Sequence, residues 1–449
     1  MAGDQQVVEI QRRLAEAGVR YFFGAYTDIH GVPKSKCVPI SHLADAAGGS
    51  EKYTVGALEG MGKLGPNEDE CSGRPDLDAV TVLPWDTRYA IAPVNLYLRG
   101  EPYPFDYRRL LQDQVAAAAA LGLRCDFGVE PEVYVLRRDG DGFAPFVPED
   151  VVNPETRGYD VYTTMLADPF LERIVEHIDA LDWGLYSFDH EGGAGQYEFD
   201  FGYADAVTTA DRMVLFRLMC KHVARSLGCI ATFMPKPFQE SFGSGAHFNM
   251  SLADIHTGQN RFPGDDNGYS ELALQFTAGV LAHGDALTAV LAPTVNSYKR
   301  LLPRGLMNEI SWAPVYRAYG HNNRTLMCRL PANRSCLEVR LADSAVNFHL
   351  AAAVTLAAGL DGIRRQLKPG EAVNYDTYSR SESALAAAGV HRLPGTLGAA
   401  VEAFRRDELM AEVLGPTVHA AYAAYKEAEW LEYNTVVGDW ERRRYLELW

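Results

Sequence analysis

Gly243-Ser244-Gly245-Ala246-His247, read with Glu130-Pro131-Glu132 before it and Glu338-Val339-Arg340 after it, sets metal-ligating side chains at strand spacing. Residues i and i+2 of a strand point to one face. Glu130 and Glu132 therefore aim two carboxylates into one cavity, and Glu338 and Arg340 aim an acid and a cation. Glu191 and Glu198 bracket the glycine-rich stretch Gly192-Gly193-Ala194-Gly195-Gln196 and add two more carboxylates. This set of glutamates with one histidine suits two hard divalent cations, Mg²⁺ or Mn²⁺, better than zinc. Two such metals beside several arginines imply the handling of a polyphosphate. Each motif alone reads more plainly: Glu-x-Glu as a solvated strand face, Gly-Ser-Gly-x-His as a turn, a single histidine as a satisfied core residue. Their joint occurrence is what turns the reading toward chemistry.

The 449 residues exceed one ordinary core, so two domains are expected. The composition, 47% hydrophobic and 22% charged, is that of a globular protein. A net charge of −17 argues against nucleic acid and anionic membrane surfaces as partners, and it requires a local positive pocket for any anionic substrate. Seven cysteines without a Cys-x-x-Cys pair suggest reduced thiols and a cytoplasmic protein. No apolar run approaches the ~18 residues of a membrane span.

Periodicity places a helix over 6–17, strands over 21–27, 36–40, 79–83 and 90–98, and a boundary near Gly100-Glu101-Pro102-Tyr103-Pro104. A larger α+β unit follows. Its strands are expected at 124–136, 184–187, 196–201, 246–252 and 335–340, and its helices at 110–121, 210–227, 272–292, 348–362 and 397–414. The tail from Gly415 to Trp449 carries Tyr422, Tyr425, Trp430, Tyr433, Trp440, Tyr445 and Trp449. Burial on its own domain and burial against a neighbouring subunit are equally open for it.

Further motifs fall in order with the first three: Met234-Pro235-Lys236-Pro237, Asn296-Ser297-Tyr298-Lys299-Arg300, Asn322-Asn323-Arg324, and the early stretch from Phe22 to Gly31. Together they resemble the glutamine synthetase family along almost the whole chain. The resemblance implies an α+β protein with an N-terminal β-grasp domain (1–103) and a catalytic domain (104–449) whose curved antiparallel sheet is surrounded by helices. It implies active sites between subunits of a homo-oligomer, a dodecamer in many bacterial forms. It implies two or more Mg²⁺ or Mn²⁺ ions per site, one held by Glu132, Glu191 and Glu198 and another by Glu130, His247 and Glu338. By the same resemblance Arg300 meets the carboxylate of L-glutamate, Gly243 lines its backbone end, and Tyr159 joins the substrate site. Arg324, Arg329 and Arg340 neutralise the transferring phosphoryl group. Tyr203, Ser251 and Tyr186 contact ATP, with Asn249 and Arg334 beside them.

The implied chemistry suits these residue types. A carboxylate does not condense with an amine at neutral pH, because hydroxide leaves poorly. Transfer of phosphate from ATP gives an acyl phosphate that an amine can attack. Arginines and metals spread the charge, and a flap keeps water out.

The departures point to the amine. Glutamine synthetases read Glu-Ala-Pro in the flap. Here the residues are Trp312-Ala313-Pro314, after an insertion from Pro303 to Ser311. Their ammonium site also uses an aspartate where this chain has Val55. An indole face and an aliphatic wall suit a methylated amine better than NH₄⁺. These changes resemble the branch of the family that joins methylamine to glutamate. Ala292-Pro293-Thr294-Val295, the run from Trp312 to Gly320, and Asp439-Trp440-Glu441 with Arg444-Tyr445 point the same way. The alternatives are ammonium or another small amine as substrate, or a silent relative, which the intact ligand set opposes. Phe242, Asn249 and the spacing of Arg334-Ser335-Cys336-Leu337 also differ from the common pattern. Glu191 and Glu309 are the candidates for the base that deprotonates the amine.

Overall fold

The computed structural model of the chain describes residues 2–147, 158–265, 268–303 and 312–449. Among these residues the strands form two sheets. The first has seven strands and is built from residues before position 103. In it Tyr21–Thr27 lies antiparallel to Pro33–Pro39 and parallel to Tyr89–Leu98. Helix Ala2–Glu16 packs over one side, where Ile10, Leu14 and Val19 form a small core with Phe22 and Ala90.

The second sheet has eleven strands, organised around the 17-residue strand Leu123–Asp139. Gln196–Phe201 pairs with its later part and Ala246–Asp254 with its earlier part, both antiparallel. Leu337–Val339 lies beside Ala246–Asp254, and Leu185–His190 lies outside Gln196–Phe201. The sheet is mixed rather than purely antiparallel, because Tyr316–Gly320 runs parallel to Leu326–Arg329.

Alternation divides the sheet into an apolar and a polar face. Phe127, Val129, Val133, Phe248, Met250 and Val339 point one way and are buried. Helices Tyr107–Ala119, Ala206–Ser226 and Phe348–Arg364 belong to the same buried core. Phe127 meets Phe248 edge-on at 4.9 Å, and Phe248 meets Phe348 at 6.0 Å. With its apolar face covered in this way, the sheet is free to carry charge on the other.

The expected helix over 272–292 is two helices, Glu271–Ala282 and Gly284–Leu291. His283 at the break bonds Asp361 at 3.1 Å and Asp407 at 2.8 Å, and a side chain at Gly284 would strike Met327 and Arg317. The expected helix over 397–414 stops at Arg406. A second helix, Glu408–Thr435, starts at the capping carboxylate of Asp407 and bends where Gly415 takes a φ of 70° before Pro416. The expected strand over 79–83 shrinks to Thr81–Val82, preceded by a 3₁₀ turn. The C-terminal tail divides. Tyr422 is buried, and Tyr425 and Trp430 pack on the chain's own core, whereas Trp440, Leu446 and Trp449 are exposed, the last at 90%. No helix among the described residues is long and apolar enough to cross a membrane.

Candidate active site

Strand register assembles the polar face. His247 stands opposite Glu130, Asn249 opposite Glu338, Glu198 opposite Glu132, and Arg329 opposite Glu338. Directly opposed residues on one face lie within side-chain reach. Two groups of possible ligands result: Glu130, His247 and Glu338, and Glu132, Glu198 and His247, each with atoms within 4.8 Å of one another. His247 belongs to both. Glu191 stands outside these two groups, although its charge is felt by both Glu132 and Glu198.

The arginines converge on Glu338, which is fully buried. Arg340 donates to it at 2.6 Å, Arg329 at 2.7 Å and Arg334 at 2.9 Å. Arg334 also reaches Glu130 at 2.7 Å. Burial alone would raise both carboxyls. At Glu130 the hydrogen bond and charge of His247, then Arg334, hold the group well below the usual carboxylate range, and at Glu338 the charges of Arg340 and His247 lower it. The other half of the site is different. Burial, and then the charge of Glu191, pushes Glu132 up to about 8. Burial with Glu132 and Glu191 lifts Glu198 well above its ordinary value, burial with Asp189 lifts Glu191, and burial with Glu130 lifts Asp200 to about 7. Buried carboxylates that raise one another in this way fit a divalent cation, which removes both the repulsion and the desolvation penalty. Oxygen donors with one imidazole are the set expected for Mg²⁺ or Mn²⁺.

A pH dependence follows. Between the ordinary value of 4.5 and about 8, the folded chain keeps a proton on Glu132 that the unfolded chain has released. Stability therefore falls as pH rises through that window. Glu130 and Glu338, whose values are lowered, add stability that is lost only on going below it. Thermal melts of metal-stripped protein should show Tm falling from about pH 5 to about pH 8, and saturating Mn²⁺ should remove the slope. A slope unchanged by Mn²⁺ would contradict the fit.

Glycines bring Arg300 close. Arg300 donates to the backbone carbonyls of Arg340 at 2.9 Å and Leu341 at 3.0 Å. A β-carbon at Gly243 would lie 2.7 Å from Arg300 Cγ, and one at Gly245 would lie about 3 Å from Arg300, Glu132 and His247 together. Only glycine leaves room for that convergence. Arg324 stacks on Trp312 with its guanidinium 4.9 Å from the ring, and Trp312, 54% exposed, lines a cavity with Arg324, Asn323 and Tyr375. Tyr159, at a φ of 59°, donates its N–H to His190 O at 2.8 Å and feels the charges of Glu191 and Arg324. The nucleotide candidates Tyr186, Tyr203, Asn249, Ser251 and Arg334 line one cavity of about 190 Å³ with Glu130 and Gly128 in its wall.

The side chain of Val55 is fully buried in the N-terminal part of the core. Glu309 and residues 304–311 of the insertion lie outside the described residues. Other contributors were given no role by the sequence. Gln196 is fully buried and donates from one amide nitrogen to Glu132 at 2.9 Å and to Gly243 O at 3.0 Å. Ser344 Oγ donates to the carbonyls of Glu132 and Gly245. Gln196 stands two residues before Glu198, on the same strand face, and that spacing is the signal that could have identified it.

Residues 104–445 match the family described as "Glutamine synthetase, catalytic domain". A glutamate–methylamine ligase of Methyloversatilis universalis is 36% identical over 98% of this chain and 99% of its own length. A glutamine synthetase of Staphylococcus aureus is 35% identical over 98% of both chains. A solved structure described as a GmaS/ADP complex superposes with a TM-score of 0.89 at 36% identity, over 98% of this chain and 99% of that one. One described as apo GmaS gives 0.87 at 35%, over 97% and 99%.

Proposed function

The chain belongs to the glutamine synthetase family, and from that premise we propose that it joins methylamine to the γ-carboxylate of L-glutamate, with ATP converted to ADP and phosphate. One observation carries the choice of amine: an exposed apolar face, Trp312 stacked beside Arg324, occupies the position that, by the resemblance of the flap motif, holds an acid in glutamine synthetases. The 36% identity to a glutamate–methylamine ligase supports it.

In this reading ATP lies in the cavity of Tyr186, Tyr203, Asn249, Ser251 and Arg334. Glutamate lies across Gly243 with its α-carboxylate on Arg300. The γ-carboxylate attacks the terminal phosphorus in line, forming the C–O–P bond of γ-glutamyl phosphate as ADP leaves. Arg324, Arg329 and Arg340 take up the charge on the transferring group. Mg²⁺ or Mn²⁺, held by Glu130, His247 and Glu338 and by Glu132, Glu198 and His247, would neutralise phosphate charge and align the reacting oxygens. Methylamine then attacks the carbonyl carbon, and phosphate leaves. Glu191 lies outside both ligand groups, is raised by burial and Asp189, and feels the nearby guanidinium of Arg324, so it is the group assigned to take the proton of the amine. The indole of Trp312 covers the methyl group.

Active sites completed by a neighbouring copy, in a dodecamer, would let the loop around Val55 face the amine across an interface. The exposed apolar residues of the C-terminal tail support assembly. Seven free cysteines support the cytoplasm. The test is positional: with ¹⁸O in the γ-carboxylate, each turnover with methylamine should move one ¹⁸O into phosphate and yield N⁵-methylglutamine. Phosphate free of ¹⁸O would exclude the acyl phosphate.

A further inference from the structure

Past its bend, the C-terminal helix reaches toward the segment that carries Arg300. The Tyr425 hydroxyl meets His30 Nε2 at 2.8 Å, tying the helix to the turn Asp28–Gly31 of the N-terminal sheet. One residue on, the side chain of Lys426 is 1% exposed, and its ammonium donates to Glu429 Oε2 at 3.1 Å. The other oxygen of Glu429 accepts the backbone N–H of Val295 at 3.0 Å. Val295 opens the arm that ends in Arg300.

The arm is stiff from that point. Asn296 accepts from the backbone N–H of Lys236 at 2.8 Å and donates to its carbonyl at 3.0 Å. Ser297 and Thr294 bond one another through their hydroxyls at 2.9 Å. The single turn Ser297–Arg300 then delivers the guanidinium to the carbonyls of Arg340 and Leu341. With few loose bonds between Val295 and Arg300, a shift at the start of the arm is carried to its end.

We propose that Glu429 is a positioning residue for the glutamate site: held by Lys426, it fixes the N–H of Val295 and thereby the place of Arg300. This rests on the reading of Arg300 as the anchor of the glutamate carboxylate. The helix thus sets glutamate affinity from outside the site, with no contact to substrate, metal or nucleotide.

The test separates positioning from folding. Glu429→Ala alone strands a buried ammonium and lowers Tm whatever its role. Lys426→Met with Glu429→Ala removes that charge and restores Tm. Glu429→Gln keeps an acceptor for Val295. Calorimetric titration with L-glutamate, in Mg²⁺ and ADP, should show the double variant weakened about tenfold or more. Its ADP affinity should stay within about twofold of wild type, and Glu429→Gln should bind glutamate much as wild type does. Wild-type glutamate affinity in the double variant, or parallel loss of glutamate and ADP, would overturn the proposal. If the wild-type protein binds glutamate but releases no phosphate with methylamine, the ligase reading falls and the glutamate titration still decides this one. If it binds no glutamate, both fall.

Discussion

Replacing Glu338 by glutamine is expected to lower kcat by about 10³-fold while leaving the chain folded. Glutamine keeps the volume and one acceptor oxygen. It loses the charge that faces Arg329, Arg334 and Arg340 and completes the group formed with Glu130 and His247. The arginines would then present excess positive charge to an incoming cation, so Mn²⁺ binding should weaken along with turnover. Glutamate affinity should change little, because Arg300 is fixed by backbone carbonyls and not by Glu338. Alanine at the same position would do more. It leaves guanidiniums unpaired in a buried site, and breaking a buried pair typically costs about 3–5 kcal/mol. Phosphate release and Mn²⁺ titration by calorimetry check both variants. Activity of Glu338→Gln within tenfold of wild type would remove Glu338 from the metal set.

Trp312→Glu is expected to reverse the amine preference. A methyl group in an apolar contact is worth about 10- to 200-fold in discrimination, and an acid at this position supplies the acceptor an ammonium ion needs. The change has a second consequence that the sequence did not announce. Trp312 stacks on Arg324, so the variant replaces a cation–π contact by a carboxylate beside the same guanidinium. Part of the new charge will pair with Arg324, and kcat should fall for every amine. The ratio of methylamine to ammonium kcat/KM separates the two effects, because the loss through Arg324 is common to both amines. A ratio unchanged from wild type would assign Trp312 to holding Arg324 alone.

The strands of the site were legible because a two-residue period with charges on one face is hard to mistake. Leu123–Asp139, Gln196–Phe201 and Ala246–Asp254 lie close to where alternation puts them, and the register then brings Glu130, Glu132, Glu198, His247 and Glu338 together. The helix break at His283 was not legible. It lies within an apolar run, and the carboxylates that hold the histidine come from positions 361 and 407. Arg334 illustrates the same limit inside the site. It was expected beside the nucleotide, and it lines a cavity with Tyr186, Tyr203 and Ser251, but its bonds to Glu130 and Glu338 arise only when three strands meet. Gln196, quoted only as the end of the glycine-rich stretch, was given no role because a glutamine is read as ordinary polarity until burial shows that its amide must be spent on Glu132 and Gly243. Val55 was legible only as a position in the N-terminal stretch: its side chain is fully buried in its own chain, and in the proposed assembly what its loop faces is set by a neighbouring copy.

Identity to a methylamine ligase and to a glutamine synthetase is nearly equal, so the choice of amine rests on the flap. The deciding measurement is phosphate release by the purified protein with ATP, L-glutamate and Mg²⁺ or Mn²⁺, giving kcat/KM for methylamine and for ammonium side by side. Methylamine should exceed ammonium by at least about tenfold, with N⁵-methylglutamine as the product. A higher kcat/KM for ammonium would contradict the choice of methylamine and make the chain a glutamine synthetase with an unusual flap.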